Sequence, residues 1–502
     1  MMGDGGHEVT SRRPGRARAV RRSGAVFRPP RPRFRPPCPR FRLPRSGLRR
    51  PSGSGLGLAC AGFRPPGSRL RRPGPGRQRS GPRLLSLGAL VVAVALGSSL
   101  LAACGSSSAS SGPVTLNFYN FTDPSGAIQQ AVNTCSAQSK GKYTITYNKL
   151  PAAADSMRQQ LVRRLAAGDS SMDILGLDVT WEAEFAEAGW ILPWTGSYKQ
   201  QAITGTLAVP LQTATWHGKL VAVPYNSNTQ LLWYRSDLVP NPPKTWNDML
   251  NDAAQLAKEG KPHLIEIQGA QYEGATVWFN TMVTSAGGSI LTPDALHVSL
   301  GEPAVQALTI MKRLATSVAA DPSLPVQMED QNRLAMEAGT AAFELNYPFV
   351  YPSMKTNRPK LFKTFKWALY PRVNANEPAH VTVGGIDLAV SRYSPHPGLA
   401  FQAALCLRDP ANQLIAATKG GLPPTIASLY NNPALYGDYP FHQDILQALE
   451  TASIRPKTPA YQNLSIVISH LVSPPAAINP MSTEKSMVSQ LNDALQSKGL
   501  IP

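Results

Sequence analysis

Histidine and cysteine are scarce in this chain, and lysine is missing from its first 83 residues. The eight His are scattered and no H-E-x-x-H run occurs, so no metal centre is expected. Neither a G-x-S-x-G turn nor a phosphate-binding glycine loop is present, which removes support for a hydrolase nucleophile or a nucleotide site; no cofactor is expected. Acids are also nearly missing at the start. The 502 residues hold 50 Lys and Arg against 31 Asp and Glu, a formal charge of +19. Read whole, that charge suggests a polyanionic partner. Residues 1–83, however, carry 22 Arg against only Asp4 and Glu8, a net of +20. The remainder carries 28 basic and 29 acidic residues, a net of −1. The body is near neutral, and no nucleic-acid partner is expected.

The first 83 residues also contain 14 Pro and no helical or strand period. Such a stretch buries too little apolar surface to offset chain entropy and is expected to be a disordered Arg/Pro-rich leader, or the product of an unused upstream start. Residues 84–103 are uncharged and long enough to span a bilayer. Leu101-Ala102-Ala103-Cys104 changes that reading, because a hydrophobic residue, two small residues and Cys form a bacterial lipobox. A signal peptidase needs small residues beside its cut, and the thiol accepts diacylglycerol. We therefore expect signal and lipobox over 84–104, lipidation at Cys104, a tether over 105–112, and a mature chain anchored by lipid on the outer face of the cell membrane.

Cys38 and Cys60 fall in the leader, which leaves Cys135 and Cys406 for an oxidising compartment. A bond between them is expected. It would close a long loop and contribute up to about 5 kcal/mol.

The body reads as two α/β lobes. Strand patterns at 114–119, 143–147 and 172–177 alternate with helical patterns at 126–138 and 155–167, the latter stopped by Gly168. This βαβαβ order implies a parallel sheet with helices on its faces, and ligands beyond the carboxyl ends of its strands. Further strands are expected at 231–234, 341–345 and 381–390, and helices at 246–260, 275–286 and 401–417. The lobes are expected to comprise 113–223 with about 386–435, and 228–381 with about 436–502.

Several motifs carry a family resemblance. They are Phe185-Ala-Glu-Ala-Gly189, Val223-Pro-Tyr225 with Leu231-Leu-Trp-Tyr-Arg235, Pro242-Pro-Lys-Thr-Trp246, and Gly420-Gly-Leu-Pro-Pro424. Over about residues 113–502 the chain resembles the extracytoplasmic solute-binding proteins of carbohydrate ABC importers. Asp178–Trp190, Asn228–Arg235, Val277–Asn280 and Asn346–Phe349 narrow the resemblance to the mycobacterial trehalose-binding lipoproteins. The resemblance implies a periplasmic-binding-protein-like fold with a hinge, trehalose as ligand, with another oligosaccharide or a polyol as the alternative, and an importer of two permeases and an ATPase as partner. This chain departs in its Arg-rich leader, in a shorter segment around 196–210, and in Tyr347, where those relatives have Trp.

A sugar presents hydroxyl pairs and an apolar ring face, so its site needs planar polar groups and an aromatic plate. A hydrogen bond to a charged group contributes roughly 1.5–3 kcal/mol, and a micromolar site needs about 8 kcal/mol. Asp178 follows a buried strand at its carboxyl end, where a ligand should lie; it could equally cap the next helix. Asn228 sits in the proposed crossover, or in a plain turn. Asp123 follows the first strand and rests on the resemblance. Glu329 precedes a helix whose dipole it could simply complement. Tyr347 could stack on a pyranose. Gly384 and Gly385 could let backbone approach a ligand, or mark a bulge. Trp181 and Trp278 are secondary candidates. Asp178 with Glu182 or Glu184 could suggest a glycoside hydrolase, but no glycosidase motif surrounds them and no enzyme is expected.

Overall fold

A computed structural model describes residues 112–498. The leader, the apolar segment, Cys104 and the tether up to residue 111 lie outside the described residues. The strands are β1 (Val114–Phe121), β2 (Tyr143–Leu150), β3 (Ile174–Asp178), β4 (Thr215–Trp216), β5 (Lys219–Leu220), β6 (Val223–Asn228), β7 (Leu231–Arg235), β8 (Leu264–Glu266), β9 (Ala341–Asn346), β10 (Phe365–Ala368) and β11 (Gly384–Val390).

The first lobe is built on a sheet of order β2-β1-β3-β11-β6. β1 is parallel to β2 and β3, as the alternating pattern predicts. The late strand β11 then inserts between β3 and β6, antiparallel to both. Helix Ala154–Ala166 shows why the local pattern was readable. Met157, Leu161 and Leu165 recur every four residues and are all buried, and Gly168 takes a positive φ of 69° just beyond the end. A disulfide joins Cys135 of helix Ala127–Gln138 to Cys406 of helix Pro397–Leu407, with Cα atoms 5.8 Å apart across 271 residues.

The second sheet has order β10-β7-β9-β8 and is covered on both faces. The pleat of β7 sorts its side chains: Leu231 and Trp233 enter one core with Tyr351, Phe365 and Phe441. Leu232 and Tyr234 enter the other with Trp278, Phe279 and Met311. Fully burying each such large side chain contributes roughly 1.5–3 kcal/mol. Ala417, Tyr430 and Leu435, from the stretch assigned above to the first lobe, join the Trp233 cluster. Helix Trp246–Lys258 opens on a capping box, in which the Thr245 hydroxyl accepts from the Asp248 amide at 3.1 Å and the Asp248 carboxylate accepts from the Thr245 amide at 3.0 Å.

Two expectations need correction. The helix expected over 401–417 is two helices, Pro397–Leu407 and Pro410–Gly420. Asp409 caps the second by accepting from the Asn412 amide at 2.8 Å, and Pro410 cannot continue the first. The helix expected after Glu329 begins at Glu329 itself.

The chain crosses between lobes at Thr229–Gln230, linking β6 to β7, and returns ahead of β11. Beside that return, Thr382 pairs with Ser453 in a parallel bridge. No helix among the described residues is long and apolar enough to cross a membrane.

Candidate functional site

The lobes meet at a buried arginine. Asp178, at the carboxyl end of β3, accepts from the Thr180 amide at 3.2 Å and from its hydroxyl at 2.9 Å. Its Oδ1 also accepts from Arg455 Nη2 at 3.3 Å. Arg455 belongs to the second crossing region and is buried; its Nη1 donates to Glu273 Oε1 at 2.5 Å. The hydroxyls of Tyr461 and Ser465 also donate to Glu273. Burial pushes the Glu273 carboxyl up, while the Arg455 guanidinium pulls it back down. A second polar contact lies nearby, where Asp155 of the first lobe accepts from Gln462 Nε2 of the second at 2.8 Å.

Tyr347, just past β9, adjoins this group. Burial pushes its hydroxyl up, the charges of Glu329, Asp178 and Glu273 push in the same direction, and Arg455 opposes them. Glu329 is itself pushed up by burial and eased by the Tyr272 hydroxyl. Gly384 pairs with Asn228 between β11 and β6, and a Cβ built on Gly384 would lie 3.8 Å from the Tyr347 hydroxyl. The structure thus draws Asp178, Asn228, Glu329, Tyr347 and Gly384 toward one place. Gly385 has a backbone reason: its φ is 129° and a Cβ there would fall 2.1 Å from the Asn226 carbonyl oxygen, beside a bulge at Ile386/Asp387.

Three expected residues have other employment. Asp123 caps helix Ala127–Gln138: Oδ2 accepts from the Ile128 amide at 2.9 Å, and Oδ1 from the Ser125 amide at 2.8 Å and hydroxyl at 2.6 Å. Trp181 stacks on Phe185 inside the first core, and Trp278 on Trp246 inside the second. The carboxyl pairing of Asp178 with a neighbour also resolves differently. Glu184 is taken by Arg158, while Glu182 turns inward to Asp387.

Sequence reasoning missed Arg455, Glu273 and Tyr272. Arg455 stands 277 residues from Asp178, and nothing around Ile454-Arg455-Pro456 marks it. Tyr272 and Glu273 lie just ahead of the helix expected over 275–286, and nothing local marks them. A concentration of buried polar atoms without a protein partner marks the same zone: Asn228 Oδ1, Thr229 Oγ1, Gln230 Oε1 and Arg455 Nε. Buried polar groups ordinarily find hydrogen-bond partners, so such a concentration suits a hydroxyl-rich ligand. Two cavities flank the Arg455–Glu273 pair. One of about 1120 Å³ is lined by Arg455, and one of about 360 Å³ by Glu273, Tyr272 and Asp155. No group of three or more potential metal ligands occurs among the described residues.

Residues 120–414 match the family model described as "Bacterial extracellular solute-binding protein". The chain belongs to that family. A probable ABC transporter-binding protein of Deinococcus radiodurans is 27% identical over 326 residues, covering 63% of this chain and 77% of the relative. Maltose-bound MalE3 of T. maritima superimposes with a TM-score of 0.70 at 24% identity, over 75% of this chain and 99% of that one. The GacH receptor of Streptomyces glaucescens, solved unliganded and with acarbose, gives 0.68 at 20% identity, over 77% and 100%. These two likenesses establish a periplasmic-binding-protein-like fold.

Proposed function

We propose that this solute-binding protein captures a neutral sugar, trehalose, outside the cytoplasm and delivers it to an ABC importer of two permeases and an ATPase. The observation that carries the reading is the polar group at the meeting of the lobes. Asp178 and Arg455 offer charged hydrogen bonds already balanced against each other, and Tyr347 offers a ring with a hydroxyl at its edge. Unpartnered Asn228 Oδ1 and Arg455 Nε add an acceptor and a donor. Balanced charge suits an uncharged ligand, as does the near-neutral body. Asp178, Asn228, Glu329 and Tyr347 hold the sugar, with Gly384 letting backbone approach it. Trehalose as the particular sugar rests on the resemblance of Asn228–Arg235 and Asn346–Phe349, in which Tyr347 replaces a Trp. The chain is held on the outer face of the membrane by lipid on Cys104, and the two lobes close about the hinge.

Calorimetric titration with trehalose, maltose and sucrose tests the reading. Trehalose should bind at micromolar concentration, and Asp178→Asn should weaken it at least tenfold. Binding of maltose without trehalose would replace the ligand while keeping the class. Release of glucose from trehalose by the purified protein would replace binding with hydrolysis.

A further inference from the structure

The lobes also meet through the carboxylate of Asp155. This residue stands in the first turn of helix Ala154–Ala166, where an acid is ordinarily accounted for by the dipole of its own helix. Both of its oxygens reach the second lobe instead. Oδ1 accepts from Gln462 Nε2 at 2.8 Å, and Oδ2 accepts from the Glu273 amide at 3.4 Å. Gln462 lies in the first turn of helix Tyr461–Val472, and Glu273 opens helix Glu273–Ser285. The Glu273 amide is one of those that a helix leaves without an internal partner. A first-lobe anion thus sits at the positive ends of two second-lobe helices.

Each side of this contact is firmly held. On the first lobe, Met157 and Leu161 of the same helix are buried in the core, and Arg158 Nε donates to Glu184 Oε2 at 2.8 Å. On the second lobe, the Thr276 hydroxyl ties the two helices by donating to the Ser465 carbonyl oxygen at 3.1 Å. Beside the contact lies the cavity of about 360 Å³, whose lining is polar apart from Ile466 and the Tyr272 ring. The lobes are joined here by polar contacts and not by packed apolar side chains. A joint of this kind parts without uncovering much apolar surface, so its opening carries little hydrophobic cost. Glu273 also connects the contact to the sugar site. Its amide serves Asp155, and its carboxylate receives Arg455, which donates in turn to Asp178. Two acids of the first lobe thus engage Glu273, Asp155 directly and Asp178 through Arg455.

We infer that Asp155 is a latch. With Gln462 and the Glu273 amide it holds the two lobes together in the sugar-free chain, and it slows their opening once sugar is bound. Asp155 acts as a positioning residue, through the lobe it holds and not through the ligand. The inference rests on the reading that the lobes close about a hinge, and it is independent of which sugar they take.

Small-angle X-ray scattering of the sugar-free protein tests it. Asp155→Ala and, separately, Gln462→Ala should each shift the radius of gyration to a larger value, with a melting curve showing each variant folded. The double variant should be no wider than Asp155→Ala, because both changes part the same contact. For whichever of trehalose, maltose or sucrose binds, Asp155→Ala should raise the dissociation rate roughly tenfold, the size of one hydrogen bond to a charged group, with a smaller change in the association rate. Scattering profiles of both single variants that superimpose on the wild-type profile overturn the latch. So does an Asp155→Ala variant that slows association and leaves dissociation unchanged. If none of the three sugars binds, the saccharide reading falls, and the scattering result still decides the latch.

Discussion

Two groups of buried carboxyls lie on either side of Asp178. Toward the second lobe, Glu273 is buried against Arg455 and receives hydroxyls from Tyr461 and Ser465. Toward the first lobe, Glu182 and Asp387 face each other, both buried, with Lys457 and Arg408 acting only from a distance. Burial pushes all three carboxyls up. Beside Glu273 the Arg455 guanidinium works against burial, toward the charged form. Glu182 has no such neighbour and is pushed up further by the Asp387 charge. The same residue type on the two sides of Asp178 thus meets an opposing cation on one side and a second carboxyl on the other. What decides is the partner, and that partner comes from the far lobe.

Breaking the charged side should have the largest effect. Arg455→Met leaves Glu273 and Asp178 enclosed without a cation, and should cost about 3–5 kcal/mol in urea unfolding and abolish measurable sugar binding. A variant that loses binding but keeps wild-type stability would show that Arg455 serves the ligand alone. The first lobe holds its buried carboxyl pair in a core stapled by Cys135–Cys406. Cys406→Ser should lower stability by about 2–5 kcal/mol, read by the same unfolding experiment.

The neutral side should show itself in pH dependence. A carboxyl whose folded pKa is raised binds a proton more tightly in the folded chain, so its contribution is complete at low pH and is lost as pH rises through the folded value. With Asp387 pushed up from 3.8 to about 7, its contribution to stability should fall between about pH 4 and pH 7. Asp387→Asn should remove on the order of 2 kcal/mol of that fall. Some slope should persist, because burial also pushes Glu266 and Glu344 up to about 8. An unchanged slope in the variant would mean that the pair is charged at neutral pH. The smallest effect belongs to Tyr347→Phe, which keeps the ring and removes one hydroxyl. Sugar affinity should fall only a few-fold, the size of one neutral hydrogen bond, by calorimetry.

The comparison also shows what was legible in the sequence. Asp178 could be placed because its strand and the ligand-bearing end of that strand follow from a local alternation of patterns. Asn228 and Tyr347 came through the resemblance, beside strands whose β-rich runs were plain. Arg455 could not be found, since its meaning lies in a contact with a residue in the other lobe. Asp123 also came through the resemblance, and its carboxylate accepts from the amides of Ser125 and Ile128 at the start of the first helix, contacts that the Asp-Pro pair alone did not reveal. Asp409-Pro410, by contrast, was a readable stop that the apolar run on either side obscured. The antiparallel insertion of β11 had no local signature, because strand partners are chosen by the assembled core.

That insertion bears on how the protein is made. β11 lies between β3 and β6 and is the last strand among the described residues, so an interior strand of the first sheet is the last to arrive. Until residue 390 is available, β3 and β6 each present an open edge, the feature that most readily recruits a stray chain. The amino-terminal half cannot reach its final state by itself as it is synthesised, and its completion waits on a segment more than 150 residues downstream of β6. Such a chain gains from being kept unfolded until it is whole, and it cannot be divided into two separately expressed halves at the Thr229–Gln230 crossing.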